Sequence, residues 1–507
     1  MPALTLPLVP FFLITLPWLN PFTFGPSPAV VPLLFSWVCA LGLMGFLIKA
    51  PSSRFKGHGS DSMVLATAGA WWTAAILSAL VGLLQYFGAT EALTPWVNST
   101  RIGEAFANLR QRNQFATLCN IGFAALMWWV LQRPAPNQTQ VSMSPVGALM
   151  SAVLLQMGNA ASSSRTGLLQ LLLLLALFGL WGAWRQPLAL RLLIAAALAY
   201  AVAAVALPLL LGLDLLSSGM LARLHEGDAV CTGRLTMWRN VLQLIAQKPL
   251  LGWGWGELDY AHFVTLYSGP RFCEILDNAH NLPLQIAVEL GLPAALLCCA
   301  LGGWAVWLGK PWREKDAARQ MAWAVIAVIM LHSLLEYPLW YGPFQMALGL
   351  SLWLLWRSPA RVTRKLKEIS IENNNQRAKA ALFLIALLIG SIGFVAWEYT
   401  RVSQIFMPPP ARMSALRDNT LQKIKDAKLF QGQVEFATLA TLVLSPETAA
   451  QVNQLAKSLL HFSPEPRVIE SLIESAELLG QFDEAAYYRA RYQAAFPEKY
   501  DAWAKAH

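Results

Sequence analysis

The sequence predicts an all-α, polytopic helical membrane protein with about eleven transmembrane helices, a large loop outside the membrane and a small helical C-terminal domain. Of its 507 residues, 56% are hydrophobic and only 13% are charged, and the chain contains 21 tryptophans. A soluble domain of this length could not bury so much apolar surface. Apolar runs of about 20 residues, long enough to cross a bilayer, recur along most of the chain.

These runs set the expected spans. The first run lacks the basic region that begins a cleavable signal peptide, so we expect it to stay in the protein as the first span. The eleven spans are expected near residues 3–19, 29–49, 62–84, 113–132, 144–161, 166–184, 192–212, 282–308, 320–337, 339–356 and 380–397.

Basic residues predict the orientation. With a cytoplasmic N-terminus, the cytoplasmic loops would hold Lys49, Arg54, Lys56, Arg133, Arg185, Arg191, Lys310, Arg313, Lys315, Arg319, Arg357, Arg361, Arg364, Lys365, Lys367, Arg377 and Lys379. Because Lys and Arg accumulate in cytoplasmic loops, this bias places residues 213–281 (the large loop) and everything after residue 397 on the periplasmic side. It also explains the net charge of +9 without a nucleic-acid partner.

A composition change near residue 398 separates a membrane domain, residues 1–397, from a helical tail, residues 398–507. The stretch MPPPAR at 407–412 breaks the chain between them. Near the end of the tail, five residues have the spacing of a tetratricopeptide-type (TPR-like) hairpin: Gly480, Phe482, Ala485, Tyr492 and Pro497. A generic pair of helices explains the spacing equally well.

The large loop is expected to contain ordered structure. TGRLTMWRNVLQLIAQ at 232–247 carries Leu235, Trp238, Leu242 and Ile245 at helical spacing behind a possible Thr232 cap. The following KPLLGWGWGELDY predicts a glycine-tryptophan turn suited to the membrane interface, where tryptophan accumulates.

Two of the six cysteines, Cys231 and Cys273, share the large loop. In an oxidising compartment they could form a disulfide, and two free thiols are the alternative. The other four, Cys39, Cys119, Cys298 and Cys299, lie in apolar spans. No Cys and His spacing typical of a metal site occurs, so neither a metal nor a cofactor is expected.

Three charged or titratable residues are expected at the outer membrane boundary, although basic residues otherwise accumulate on the cytoplasmic side. Arg165 stands in GNAASSSRTGLL, Arg234 opens the loop helix, and His280 opens the eighth span in DNAHNLPLQIAVELG. Two rigid guanidinium groups suit a diphosphate, and histidine can accept a proton near neutral pH. Asp277 or Asn278 is expected to cap the helix that follows.

Each of the three also has an ordinary structural interpretation. Arg165 could extend to the lipid headgroups. Arg234 could pair with Asp228 or Glu226 on the loop surface. His280 could be a hydrogen-bonded histidine at the interface. Taken singly, the three residues do not decide between these interpretations.

Five segments together resemble the O-antigen ligase and polymerase superfamily, in its branch of bacterial O-linked protein oligosaccharyltransferases. These segments are RQRNQFATL at 110–118, SSSRTGLL at 162–169, TGRLTMWRNVLQLIAQKPLLGWGWGE at 232–257, AHNLPLQIAVELGLPAALL at 279–297 and LHSLLEYPLWYGPF at 331–344. The resemblance implies an inner-membrane enzyme that moves a glycan from a polyprenyl (undecaprenyl) diphosphate to Ser or Thr of a periplasmic protein such as pilin.

The resemblance also implies roles for individual residues. His280 of the His280-Asn281 pair would be the catalytic residue, and Arg165 and Arg234 would bind the donor diphosphate. The branch usually shows Gln-Pro-Asn where this chain has Gln111, Arg112 and Asn113. Either Tyr337 or Tyr341 would match a tyrosine implicated in the branch, and Tyr337 is preferred.

Three ionisable residues of the predicted spans are further candidates, since a charge in a span is costly unless it faces a polar interior. His332 and Glu336 are four residues apart and would share a helix face. They could support the site or brace each other. Glu289, nine residues after His280 on the same predicted helix, would lie nearly opposite it and is expected to be structural.

Other functions remain open at this stage. Within the superfamily, the acceptor could be lipid A–core, as for an O-antigen ligase, or another repeat unit, as for a polymerase. A glycolipid transporter without chemistry would place broken polar helices near the membrane midplane, often in repeated halves, and the sequence shows no such repeat. A scaffold for envelope assembly is a third class.

Overall fold

The computed structural model describes residues 7–49, 58–132, 143–225, 227, 231–357 and 373–506, and these residues form helices and turns without a β-strand. Some residues that predict the orientation lie outside the described part: Arg54, Lys56, Arg133, Arg361, Arg364, Lys365 and Lys367. Glu226 and Asp228, the alternative partners of Arg234, also lie outside it.

The described helices follow one another in chain order. They are α1 (Leu8–Leu19), α2 (Val30–Lys49), α3 (His58–Tyr86), α4 (Arg112–Leu131), α5 (Pro145–Ala161), α6 (Arg165–Leu180), α7 (Pro187–Leu210), α8 (Gly219–His225), α9 (Arg234–Gln247), α10 (Leu258–Val264), α11 (Leu282–Leu290), α12 (Leu292–Gly309), α13 (Ala317–Ser333), α14 (Gly342–Arg357), α15 (Asn373–Ser403), α16 (Thr420–Ile424), α17 (Gln431–Thr441), α18 (Ala449–Leu460), α19 (Pro466–Leu478), α20 (Phe482–Ala495) and α21 (Pro497–Ala506). Short 3-10 turns lie at Glu91–Leu93, Ala107–Leu109, Ala183–Arg185, Pro311–Arg313, Pro338–Trp340, Gln404–Phe406, Pro409–Ala411 and Ser414–Leu416.

Six of the described helical segments are long and apolar enough to cross a membrane. They are Val30–Ile48, Ser62–Tyr86, Arg112–Leu131, Pro187–Leu210, Leu292–Arg313 and Ala378–Phe406. Shorter apolar helices occupy Leu8–Leu19, Pro145–Ala161, Arg165–Leu180 and Ala317–Ser333. The membrane character of the chain follows from these helices, whereas the count of eleven spans stays a prediction.

The predicted eighth span, 282–308, is wrong as a single helix, because the chain breaks at Gly291 into α11 and α12. Gly291 has φ +90°, and a side chain there would collide with the Leu250 carbonyl group. The backbone N–H groups of Trp253 and Gly254 donate to the carbonyl oxygens of Val288 (2.8 Å) and Glu289 (3.0 Å). The turn after α9 therefore occupies the place where a continuous helix would run.

By its contacts the chain divides into two units. The first unit consists of Met1–Thr23, Pro28–Glu226 and Val306–Gly393. Its centre is α4, whose side chains from Gln114 to Trp128 are all buried, with α3, α5, α6 and α13 packed around it. Small residues allow this close packing: Gly122 of α4 faces Ala75 so closely that a side chain would not fit.

The second unit consists of Phe24–Ser27, Gly227–Ala305 and Phe394–His507, so it groups most of the large loop with the tail. Within the tail, α19 and α20 pack together, with Gly480 at φ +71° in the turn between them. Ala485 and Tyr492 are buried, whereas Phe482 is exposed. The TPR-like and the generic interpretations both fit this pair, and the predicted domain boundary at residue 397 stays a prediction.

The loop helix predicted from residue 232 begins at Arg234, with Gly233 rather than Thr232 as its N-cap. The predicted apolar face is partly wrong. Leu235 and Leu242 are exposed, and the buried hydrophobic residues of α9 are instead Met237, Val241, Leu244 and Ile245. The reason is that the core of the loop, formed by α10, α11 and residues 272–279, lies against that other face.

Candidate active site

In the first unit, the carboxylate of Glu336 joins two segments that are far apart in the sequence. It accepts hydrogen bonds from Asn113 Nδ2 at 3.0 Å and from Gln111 Nε2 at 3.4 Å. Glu336 is buried, and a buried carboxylate needs such donors to offset its lost hydration. Three of the predicted site residues therefore lie together around one buried charge.

The same cluster reaches the start of α6. Asn113 Oδ1 accepts a hydrogen bond from Ser164 Oγ at 2.6 Å, and Ser164 Oγ accepts one from the backbone N–H of Gly167 at 2.9 Å. Ser164 is thus the N-cap of α6, and Arg165 is the first residue of this helix. The Arg165 side chain is exposed, so it can meet a ligand that arrives from solvent.

Arg112 stands where the related branch usually has proline. It is the first residue of α4, a position that also favours proline because its backbone N–H has no partner within the helix. The backbone conformation can therefore hold either residue. Arg112 forms a partly exposed ion pair with Glu104 at 3.4 Å.

His332 is buried in the same unit. Its Nδ1 lies 2.9 Å from Thr117 Oγ1, and its ring meets Phe344 edge-on with centroids 5.9 Å apart. The expectation that His332 and Glu336 share a helix face is wrong, because α13 ends at Ser333 and Glu336 lies in the turn before Pro338. Proline disfavours helical backbone in the residue before it, here Tyr337.

Tyr337 and Tyr341 flank this turn and stack on each other, with ring centroids 6.1 Å apart and planes 20° apart. Both tyrosines and Gln111 line a cavity of about 370 Å³. The other lining residues are Pro17, Asn20, Pro28, Ala29, Pro32, Asn108, Leu109, Arg110, Gln114 and Pro343. A volume of this size is within the usual range for a small-ligand site.

In the second unit, His280 is held in an unusual backbone conformation. Its φ is +49°, in the left-handed region that residues other than glycine rarely adopt. Asn278 Oδ1 accepts the backbone N–H of His280 at 2.7 Å. On either side, Ala279 accepts a hydrogen bond from Trp238 Nε1 at 3.0 Å, and Asn281 Oδ1 accepts the N–H of Leu284 at 3.1 Å.

Asn281, rather than Asp277 or Asn278, is therefore the N-cap of α11, and the expected capping role of the earlier residues is wrong. His280 precedes the helix instead of lying on it, so its left-handed turn and not the helical repeat sets its direction. Such strain is found at functional sites more often than elsewhere.

Asp277 is a candidate that we considered only as a cap from the sequence. Although much of its side chain reaches solvent, desolvation of its carboxyl group raises its pKa, and the charge of nearby His280 lowers it. The Asp277 carboxyl group is therefore close enough to His280 for their charges to interact. The signal in the sequence was an aspartate three residues before the histidine.

Arg234 is the first residue of α9, and its side chain is half-buried. Arg165 in the first unit and Arg234 in the second unit thus occupy the same helical position. Neither first turn contains an acidic residue. A cation at this position adds to the positive end of the helix dipole, so each helix start is a favourable place for an anion.

A second histidine of the loop, His262, is a poor proton acceptor. Burial lowers its pKa to about 3, and the charge of Arg271 lowers it further. Its Nε2 lies 3.0 Å from the Phe272 carbonyl oxygen, and its Nδ1 lies 2.8 Å from the Tyr267 hydroxyl. His262 is accordingly a structural residue of the loop.

Glu289 also has a structural role. Its carboxylate accepts the backbone N–H of Gly256 at 2.9 Å and so holds the glycine-tryptophan turn against α11. Cys231 and Cys273 form a disulfide, with Cα atoms 5.2 Å apart, which closes the loop around α9. Of the two alternatives that the sequence left open, the structure shows the bonded pair.

Comparisons with known families match three consecutive parts of the chain. Residues 105–130 match a protein glycosylation ligase family, and residues 150–299 match the O-antigen ligase family. Residues 320–507 match the C-terminal part of a family of virulence factor membrane-bound polymerases. These ranges contain all the residues discussed above as site candidates.

Two proteins of Acinetobacter baylyi (strain ATCC 33305 / BD413 / ADP1) are similar to parts of the chain. A general O-oligosaccharyltransferase is 27% identical over 164 residues, which cover 30% of this chain and 28% of that protein. A ComP-specific O-oligosaccharyltransferase is 23% identical over 306 residues, or 59% of this chain and 51% of that protein. The chain thus spans about a quarter and about half of these relatives.

No solved structure matches the chain significantly. The three family matches follow in order along the sequence, and both relatives carry the same type of activity in their names. In three consecutive parts, the chain is thus similar to O-antigen ligases, membrane-bound polymerases and protein glycosylation ligases.

Proposed function

We propose that the protein is an O-oligosaccharyltransferase of the bacterial inner membrane. It moves a glycan from a polyprenyl diphosphate, such as undecaprenyl diphosphate, to a Ser or Thr hydroxyl of a periplasmic protein, with pilin as the first candidate. The names of the two relatives and the match of residues 105–130 to a protein glycosylation ligase family support a protein acceptor. The basic residues of the predicted cytoplasmic loops support the orientation.

The observation that carries this proposal is the position of the two arginines. Arg165 and Arg234 each begin a helix whose first turn contains no acidic residue. At each of these helix starts a guanidinium group lies beside the positive end of the helix dipole. A diphosphate is an anion suited to both, because guanidinium binds two phosphate oxygens at once.

His280 is the proposed general base. Its imidazole takes the proton of the acceptor hydroxyl while the hydroxyl oxygen forms a bond to the anomeric carbon of the glycan. The bond from that carbon to the diphosphate breaks, and the polyprenyl diphosphate leaves with the electron pair. Arg165 and Arg234 stabilise the charge that grows on this leaving group. The strained turn at His280 and the nearby Asp277 support this role.

The remaining candidates have proposed supporting roles. Asn113 and Glu336 hold the start of α6, which carries Arg165. Gln111, Tyr337 and Tyr341 line the cavity of the first unit and are assigned to substrate binding. His332 and Asn281 maintain the local structure through Thr117 and the start of α11.

An O-antigen ligase or polymerase is the second candidate, because the larger matches carry those descriptions. A strain that lacks the protein separates these functions, through mass spectrometry of its pilin and its lipopolysaccharide. We expect pilin to lose its glycan mass while lipopolysaccharide keeps its O-antigen, and a restored copy should reverse the loss. Loss of O-antigen with fully glycosylated pilin would contradict the proposal and indicate a ligase, and shortened O-antigen would indicate a polymerase.

A further inference from the structure

One segment of the large loop exposes several large apolar side chains. Leu250 is 71% exposed, Leu251 is 86% exposed, and Trp255 is 77% exposed. The neighbouring Trp253 is held inward, since its Nε1 donates to the Leu244 carbonyl oxygen at 3.0 Å. The exposed side chains therefore form a local surface of the turn, and their exposure to water would be unfavourable.

The helix before the turn extends this surface. Leu235, Arg239 and Leu242 are exposed and lie four and three residues apart, so they follow one stripe of α9. The opposite side of α9 is buried in the loop core. We call these exposed apolar side chains, Leu235, Leu242, Leu250, Leu251 and Trp255, the apolar surface of the loop.

The turn is fixed to the first residue of α12. The backbone N–H of Leu292 donates to the Pro249 carbonyl oxygen at 2.8 Å, and Gly291 packs directly on the backbone of Leu250. The helix that begins at Leu292 is one of the described segments that are long and apolar enough to cross a membrane. Leu250 and Leu251 thus lie beside the first residue of this apolar segment.

We propose that the apolar surface of the loop docks onto the lipid of the leaflet at which α12 begins. Leu250, Leu251 and Trp255 enter the boundary between headgroups and acyl chains, where tryptophan accumulates. Lys248, whose Nζ lies 4.0 Å from the centroid of the Trp253 ring, and Arg239 provide cations beside this surface for lipid phosphates.

A hydrogen bond connects the helix of this surface to the segment that carries His280. The role of His280 as a base rests on the proposed function. Trp238 of α9 donates to the carbonyl oxygen of Ala279, the residue before His280. Docking of α9 and the turn therefore sets the height of His280 above the lipid. The lipid-linked donor, which is held in the bilayer by its lipid, has to meet the acceptor and His280 at that height.

Site-directed spin labelling tests the docking without any catalytic assay. Leu251→Cys is made in a protein whose free cysteines, Cys39, Cys119, Cys298 and Cys299, are replaced by alanine. The labelled protein is placed in nanodiscs that contain phosphatidylethanolamine and phosphatidylglycerol. We expect a nitroxide at residue 251 to be relaxed strongly by oxygen, which concentrates in lipid, and weakly by a water-soluble nickel complex.

Val443→Cys is the matched control, because Val443 is an apolar residue of the tail that is 79% exposed. Its nitroxide should be relaxed strongly by the nickel complex. Equal nickel access at both positions would overturn the proposal, and so would low access of both reagents at residue 251, which would indicate a covering protein surface. If the protein without its four free cysteines fails to fold, quenching of tryptophan fluorescence by brominated lipids is compared between wild type and Trp255→Phe. Less quenching in the variant supports docking, and equal quenching overturns it.

The link to catalysis is tested separately. In Leu250→Ser/Leu251→Ser, we expect the KM for the lipid-linked donor to rise several-fold while the KM for the acceptor is unchanged, with Val443→Ser as the control. An unchanged donor KM would overturn the link to His280. A wild-type protein that transfers no glycan would refute the proposed function and leave the spin-label result to stand on its own.

Discussion

At the scale of single residues, the candidate site contains side chains that hold other side chains in place. Glu336 binds Asn113, Asn113 binds Ser164, and Ser164 caps the helix that begins with Arg165. The sequence indicated each of these segments as part of a site, but it could not show that they meet. Their contact depends on how α4, α6 and α13 pack, which no local pattern records.

We expect Glu336→Gln to lower glycan transfer by roughly 10- to 100-fold, because a hydrogen bond to a charged group contributes about 1.5–3 kcal/mol. The amide keeps the size of the side chain but brings its own N–H group towards the donors of Gln111 and Asn113. The measurement is transfer kinetics with purified protein. Glu447→Gln, at an exposed carboxylate bonded to Ser445 Oγ, is the control and should keep full activity. Equal activity of both variants would refute the role of Glu336.

The helix cap before α11 shows where prediction from residues fails. Asp277, Asn278 and Asn281 are all good capping residues, so the sequence alone could not choose among them. The left-handed turn at His280 makes Asn281 the cap and uses Asn278 to hold the turn. Such a turn depends on the surrounding loop and is not indicated by histidine itself.

At the scale of elements, the apolar pattern predicted where helices lie better than where they end. The run 282–308 is continuous in composition, yet it forms two helices because the backbone of Leu250 occupies the space beside Gly291. In α9 the sequence contains two possible apolar faces. The loop core buries one of them and leaves the other exposed.

We expect Gly291→Ala to destabilise the protein by about 1–3 kcal/mol, because only glycine readily adopts this backbone conformation. The expected result is a lower Tm of the purified protein. Gly302→Ala is the control, since a side chain there meets no atom within 4 Å and alanine favours a helix. A Tm that is unchanged in both variants would show that α11 and α12 can rearrange without the break.

The helix α10 contains two buried groups with opposite dependence on pH. Burial lowers the pKa of His262 to about 3, so its stabilising contribution is present above pH ~6.5 and is lost as the pH falls towards 3. Burial raises the pKa of Asp259 to about 7, with Glu257 and Asp277 adding to the shift, so its contribution is present below pH ~3.9 and is lost as the pH rises through 7. Between pH ~4 and ~6.5 the two effects oppose each other.

We therefore expect Asp259→Asn to make α10 less stable on acidification from pH 6.5 to 4, by up to about 1.4 kcal/mol per pH unit. The reciprocal His262→Asn should instead make α10 less stable as the pH rises from 4 to 7. Hydrogen exchange of residues 258–264, corrected for the intrinsic rate at each pH, measures both. If hydrogen exchange in both variants depended on pH as little as in the wild type, Asp259 and His262 would not be the groups that oppose each other.

At the scale of the whole molecule, the second unit joins the loop and the tail through contacts that no local sequence pattern indicates. Phe263 of α10 is buried in the hydrophobic core of the tail, and Arg491 donates to the Val264 carbonyl oxygen at 2.8 Å. His461 lies 2.7 Å from a Glu257 carboxylate oxygen and stacks on Tyr260. Helical content and membrane segments follow from composition and periodicity, whereas contacts between residues about 200 positions apart do not.

We expect Phe263→Ala to weaken the packing of the tail on α10 by about 3–5 kcal/mol, the usual cost of removing a buried phenylalanine side chain. Limited proteolysis should then cleave the tail faster, and glycan transfer should fall. Phe482→Ala, at an exposed phenylalanine of the tail, should behave like the wild type. The packing would be unimportant if both variants resisted protease equally and kept full transfer activity.

His280 is the proposed base of the glycan transfer reaction. The most direct measurement is transfer of a glycan from undecaprenyl diphosphate to purified pilin by His280→Ala in proteoliposomes, with His225→Ala, at an exposed histidine of α8, as the control. We predict that His280→Ala inserts and folds normally but leaves pilin at its unmodified mass, whereas His225→Ala glycosylates it fully. Undiminished glycosylation by a correctly inserted His280→Ala protein would contradict the assignment of His280 as the base.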